Sequence, residues 1–306
     1  MQKEEKLTAE QANGKGEWIP LFAAGLGHAV WGTSYLFSRV ALQIAGTDIL
    51  LSMRFTLAVL LMTGMILFGK ARVSFRGKNL KPLILLALTE LGCFFFESYG
   101  ILYTNATFAG VVSAVSPVVA IGLAALFLRE YPTRRQGIFC LLPVMGVIIM
   151  TISGNSLGIV RPIGVVCMIC TCVLSAAYKT ANRKASEDFT PFERTYIVLA
   201  CSAAAFTVSA LIRVGGDLRA YAAPLAQPSY CASLIVLSVF SSVAANMMIN
   251  YAAGKISVTK LTSFGSLTTL FSMFAGVLFL KEPMSWGLFL GAMLILVGIR
   301  QVIRKA

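Results

Sequence analysis

Charged residues are scarce in this 306-residue chain: they make up 13% of it against 57% hydrophobic, and only thirteen are acidic. A soluble domain carries about twice that charge, so a water-soluble globular fold is excluded and a polytopic membrane protein is indicated. Strand-like alternation over ten-residue stretches is also missing, which excludes a β-barrel and leaves helices. No nucleotide-binding loop, metal-binding helix motif or nucleophile elbow occurs, so ATPase, metal and nucleophilic chemistry are not indicated, and neither a cofactor nor a metal is expected. The seven cysteines fall almost entirely within apolar runs, where they act as small packing residues, and disulfides are not expected. The "CMIC" stretch, Cys167 to Cys170, has redox-like spacing but lacks a second ligand pair and reads as packing.

What is present is a series of apolar windows. A helix needs about 20 such residues to cross a hydrocarbon core of about 30 Å, because no water is available there for unpaired backbone groups. Windows bounded by charge, proline or glycine predict ten spans, near 18 to 41, 47 to 69, 81 to 103, 107 to 128, 134 to 153, 161 to 182, 193 to 213, 229 to 252, 256 to 279 and 284 to 303. The first follows a tail of mixed charge (residues 1–17) and holds His28, Tyr35 and Arg39 with no small-residue cleavage site, so a removable signal peptide is not expected. With the tail placed in the cytoplasm, twenty of the 26 Lys and Arg residues fall on the inner side. Only Arg39, Arg161, Arg213, Arg219 and Lys281 fall outside, and Arg54 lies within the second span. Both termini are therefore expected to be cytoplasmic. The net charge of +13 is explained by these loops, and no nucleic-acid partner is expected.

The chain also repeats itself. "YGILYTNATFAGVVSAVSPVVAIGLAALFLRE" from Tyr99 aligns with "YAAGKISVTKLTSFGSLTTLFSMFAGVLFLKE" from Tyr251 at a constant offset of 152. Tyr99 meets Tyr251, Thr107 meets Thr259, Glu130 meets Glu282 and Gly146 meets Gly298. Residues 18–153 and 161–303 thus read as two five-span units. An odd number of spans makes the second unit upside down relative to the first, the plan of secondary transporters that alternate between two gates.

Ten spans in two halves, "WGTSY" (Trp31 to Tyr35), "MRFTLA" in the second span and the paired "LFLRE" and "LFLKE" resemble the drug/metabolite transporter superfamily, specifically its EamA-type exporters, over nearly the whole chain. The resemblance implies a ten-helix inverted-repeat bundle whose cavity is lined by spans 1, 3, 4, 6, 8 and 9, with 5 and 10 peripheral, and a cargo of amino acids, other small metabolites or nucleotide-linked sugars. The halves differ at Phe139 against Gly291 and at Pro117 against Thr269, so the two gates are not expected to be equivalent.

Ionisable residues inside spans cost at least about 2.5 kcal/mol by insertion scales and should face the bundle interior. Glu90 and Glu97, seven residues apart, share a face of the third span with Phe94. Glu97 lies at a depth similar to Arg54, giving either a structural ion pair or a role in outer gating and substrate contact. Glu90 and His28 both come out near the midplane, which suggests a proton-coupling or substrate-ammonium site, although a lone histidine often only packs. His28, Trp31 and Tyr35 recur at helical spacing as an aromatic wall fit for a cation or an amphipathic ligand. Ser242, Asn246 and Asn250 continue a four-residue stripe from Ser238, as cavity lining or as interhelical bonds. Lys179 and Lys260 lie about a turn inside their cytoplasmic ends and are expected to snorkel, with Lys260 also a candidate for a substrate carboxylate. "GLFLG", Gly287 to Gly291, reads as tight packing, with a homodimer contact as the further option.

Together these features predict a multi-pass, inner-membrane, secondary-active exporter of a small amine-bearing metabolite such as an amino acid, possessing no enzymatic activity. Its partners would be the substrate, protons and the bilayer, and it would act as a monomer or homodimer. Cargo of drugs or of anionic or sugar-linked metabolites is the alternative, and an integral-membrane enzyme is disfavoured because the polar residues cluster at mid-depth.

Overall fold

The computed structural model describes residues 18–103, 116–154, 161–280 and 286–303. Among them every regular element is helical. That follows from sequences in which leucine, alanine, valine and phenylalanine run without polar relief, since a helix satisfies its backbone within one segment.

The first half comprises α1 (Trp18–Leu42), α2 (Thr47–Leu67), α3 (Lys81–Tyr103), α4 (Ser116–Leu128) and α5, in two pieces (Arg134–Phe139 and Leu141–Gly154). The second comprises α6 (Pro162–Ala185), α7 (Pro191–Arg213), α8 (Pro228–Ala253), α9 (Val258–Leu280) and α10 (Trp286–Ile303). Of these, α2, α6, α7 and α8 are long and apolar enough to cross a membrane by length and composition, and α4 and α10 contain shorter apolar stretches. The expected span at 107 to 128 is described only from Ser116, and the tail at 1–17 lies outside the described residues.

Local chemistry sets the ends. Proline opens α6, α7 and α8, where its missing N–H costs nothing. Thr190 and Glu193 form a capping box at the start of α7, and Thr133 with Gln136 does the same for α5. α2 stops at Gly69, whose φ of 70° a residue without a Cβ adopts at no steric cost.

Two irregularities were not anticipated. The segment at 134 to 153 breaks at Cys140, because Pro143 lacks an N–H for the carbonyl four residues back and its ring crowds that group. In α8, residues Leu237–Ala245 wind as a π-helix. Four-residue steps overshoot an α-turn of 3.6 residues, and the looser π winding offsets that drift. Ser238, Ser242, Asn246 and Asn250 are all buried along this helix.

The packing has an exchange symmetry. α3 lies against α6 as α8 lies against α1; α4 lies against α6 as α9 lies against α1; α2 pairs with α7, and α5 with α10. Replacing each helix by the one five places away in the chain returns the same set of pairs. The α5–α10 crossing shows it at residue level. A Cβ on Gly146 would meet Ile295 and the Gly291 carbonyl at 2.6 Å, and a Cβ on Gly298 would collide with Pro143. At the offset of 152, Gly146 and Ile295 become Gly298 and Pro143. Gly291 therefore serves a contact within the chain.

The α2–α7 pair is joined by polar and aromatic contacts. Ser52 bonds Thr207 at 2.8 Å and Tyr221 at 2.7 Å, the rings of Phe55 and Phe206 meet at a tilt with centroids 5.9 Å apart, and Asp48 meets Arg213 at 2.5 Å.

Candidate functional site

α3 positions the carboxylates. Thr89 returns its hydroxyl to the Leu85 and Leu86 carbonyls, so the helix keeps its own polar groups satisfied while Glu90, half-buried, points among its neighbours. Glu90 lies within electrostatic reach of Glu97 on its own helix, Arg54 of α2 and Lys179 of α6. Phe94 goes elsewhere: its ring sits 5.2 Å from Phe55 and 6.2 Å from Phe206, in an aromatic cluster between α2, α3 and α7.

Lys179 does not snorkel outward. Its Nζ donates to Ser116 Oγ at 3.3 Å, near the middle of the bundle, and Ser116 donates on to Ser175 at 3.3 Å. The sequence held the signal in plain form, since Thr171, Ser175, Lys179 and Arg183 recur at four-residue steps on α6. Such a polar stripe belongs on a helix face turned inward.

On α1, His28 is buried, with Nδ1 2.7 Å from the Ala24 carbonyl and its ring edge-on to Trp31 at 5.6 Å. α9 closes over it: Thr268 donates to the His28 carbonyl at 3.3 Å, and a Cβ on Gly265 would stand 3.9 Å from Nε2. Trp31 Nε1 donates to the Ser241 carbonyl of α8 at 3.2 Å. Asn246 Nδ2 also lies 3.5 Å from this carbonyl, in the π-wound stretch where the register of carbonyls is shifted along the helix. Tyr35 stands one turn further along α1, with its side chain outside the described residues.

Arg54 connects α2 to the same stretch of α8. Its Nε donates to Ser242 Oγ at 2.7 Å and its Nη2 to Ser241 Oγ at 2.8 Å, and Ser241 donates to Ser34 of α1 at 3.3 Å. A groove of about 200 Å³ lined by Val30, Thr33, Ser34, Val236, Phe240 and Ser241 adjoins this junction. Asn246 bonds the Ser242 carbonyl of its own helix at 2.9 Å. Asn250 is taken up by a deeper network, accepting from Asn182 at 2.7 Å and donating to Thr195 at 2.7 Å. Lys260, half-buried near the start of α9, has its backbone N–H on Ser257 Oγ at 3.4 Å.

The described residues thus bring Glu90, Lys179, Arg54 and the α8 serines into one region, with His28 and Trp31 forming its α1 and α9 side. Helices from both halves of the chain contribute. An acidic group, two basic groups and hydroxyls are thus gathered inside an apolar helical bundle, where burial of such groups is costly unless they meet one another.

The chain belongs to the EamA-like transporter family, which it matches twice, over residues 18–152 and 162–304. It is an integral membrane transporter of small molecules, and no enzyme. It is 32% identical over 290 residues to the uncharacterized transporter YcxC of Bacillus subtilis (strain 168), covering 93% of each chain. It is 24% identical over 293 residues to an uncharacterized transporter of Archaeoglobus fulgidus, covering 94% of this chain and 99% of that one. A protein of known crystal structure shares the fold with a TM-score of 0.77 at 15% identity, over 93% of this chain and 96% of that one.

Proposed function

We propose that this protein is a secondary-active exporter of a small amine-bearing metabolite such as an amino acid, moved by alternating access through ten spans in two inverted five-helix repeats. The observation that carries the reading is Glu90, a carboxylate half-way along α3 within reach of Lys179 and Arg54. A carboxylate in such surroundings attracts an ammonium group or a proton, and a basic partner nearby receives a carboxylate.

Glu90, with His28, is the coupling and ammonium site. Trp31 and Tyr35 supply an aromatic wall, while Ser242 and Asn246 offer hydrogen bonds. Glu97 serves outer gating or pairs with Arg54, and Phe94 and Asn250 hold the surrounding helices. The exchange symmetry of the packing supports two related halves, and five spans per half requires that one be inverted. The basic loops support cytoplasmic termini in an inner membrane. The protein works as a monomer or homodimer, with Gly291 of its GxxxG turned to α5.

The test is uptake of labelled amino acids, amines and anionic metabolites into proteoliposomes, with and without a pH gradient, for the wild type and Glu90→Gln. Movement of amine-bearing substrates that loses gradient dependence in the variant supports the reading. Movement of anions alone, with the variant indifferent, refutes it. Lys179 favours that second reading of an anionic cargo, in which Lys179 and Lys260 receive the substrate.

A further inference from the structure

The motif "LFLRE" ends in a residue that the central site does not use. Among the described residues, Arg129 is the one non-glycine with positive φ, at 56°. Left-handed backbone at a residue with a Cβ is strained, and it persists where surrounding contacts hold it. Here the strained residue ends α4 and turns Glu130 back toward the bundle, with the Glu130 N–H on the Ala124 carbonyl at 3.3 Å.

The Glu130 carboxylate then makes two charge-assisted bonds. Oε1 accepts from Arg183 Nε of α6 at 2.8 Å, and Oε2 accepts from the backbone N–H of Val258, the first residue of α9, at 2.9 Å. Arg183 Nη1 also donates to the carbonyl of Ala253, the last residue of α8, at 3.3 Å. One carboxylate at the end of α4 therefore closes onto α6 and α9, and through Arg183 onto the end of α8, all from the other half of the chain.

The neighbouring Arg194 network is different in kind. Arg194 is 1% exposed, donates to Asn182 and to the Asn250 carbonyl, and joins α6, α7 and α8 within one half. The side chains of Glu130 and Arg183 are 22% and 26% exposed. Water can replace the second set of bonds and not the first. Other contacts between halves at this end are Lys78 and the Ser74 N–H with Glu193, from the loop between α2 and α3, and Arg135 with Gln301 and Gln136 with the Val302 carbonyl, which join α5 to α10 and leave α4 untouched.

We infer that Glu130, positioned by Arg129 and held by Arg183 and Val258, is the latch that closes the cytoplasmic side of the transport path. Releasing it separates α4 from the second half and opens that mouth, while the Arg194 network keeps α6, α7 and α8 moving as one body. The inference rests on the transporter reading but on no choice of substrate or direction.

The test uses the native thiol of Cys93, buried on α3 beside α6. Inside-out and right-side-out vesicles carrying the full chain are treated with a charged, membrane-impermeant thiol reagent, and labelling of the Cys93 peptide is followed by mass spectrometry. Glu130→Gln keeps the shape and removes the charge that both bonds use. Its expected effect is a rise of about tenfold in labelling from the cytoplasmic face, with no rise from the outer face. Unchanged labelling from the cytoplasmic face overturns the proposal. An equal rise from both faces also overturns it, because that is the mark of a loosened bundle rather than an opened mouth. Should Glu130→Gln fail to insert, Arg183→Lys, which keeps the positive charge but cannot bond both Glu130 and the Ala253 carbonyl, is read by the same two faces. Because labelling needs no substrate, failure of the amine-exporter reading leaves this result intact.

Discussion

Gly146 of α5 lies so close to Ile295 of α10 that a Cβ on the glycine would stand 2.9 Å from Ile295 Cγ1, and the contact recurs at Gly298 against Pro143. Neither site has room for a methyl group without a shift of the facing helix. Gly146→Ala and Gly298→Ala should each destabilise the detergent-solubilised protein by about 1–3 kcal/mol, read as a lowered unfolding midpoint. Because the two contacts correspond under the repeat, their effects should be of similar size. A large difference between them would refute that equivalence.

Arg54 binds Ser241 and Ser242 through two different nitrogens of one planar group. Lysine carries the charge but not the fork. Arg54→Lys should therefore leave the protein folded and reduce transport by about tenfold or more, whereas Ser241→Ala, which leaves the Nε bond, should have a smaller effect. Transport rates in proteoliposomes, alongside size-exclusion profiles, check both.

Trp31 joins α1 to the π segment through its indole N–H and also faces His28. Trp31→Phe keeps an aromatic surface and leaves the Ser241 carbonyl only the longer bond from Asn246 at 3.5 Å, at a cost of about 1 kcal/mol. If the ring contacts substrate, Trp31→Phe should retain substrate affinity while Trp31→Ala loses it. Equal affinity in the two variants would assign the residue to packing alone.

Arg194 is fully buried, and its Nη atoms hold carbonyls of two other helices. Arg194→Lys cannot reach both, and should lower stability by about 3–5 kcal/mol, with loss of folded yield rather than of substrate affinity. Thermal unfolding of the membrane-extracted variant, compared with its KM for any transported substrate, separates those outcomes.

The helix at Thr47–Leu67 was predicted from 47 to 69, and that at Lys81–Tyr103 from 81 to 103, from apolar length and flanking breakers alone. Such positions are legible because the requirement is local: each span must satisfy its own backbone in a medium without water. The repeat was legible for the same reason, as it is written in residue identities at one offset. The inward face of Lys179 was written in the four-residue stripe of α6, but its partner, like that of Asn250, was not legible in this way. Whether Lys179 runs to the interface or to Ser116, and whether Asn250 faces a cavity or Asn182 and Thr195, depends on the rotation of one helix against another distant in the chain. The sequence by itself determined the apolar helical character, the places of helices such as Thr47–Leu67 and Lys81–Tyr103, and the twofold repeat. Only the tertiary structure decided which polar groups meet, because inside a bundle a buried donor takes whichever acceptor packing brings within about 3 Å, and the π winding and helix crossings that set that distance arise from contacts between segments.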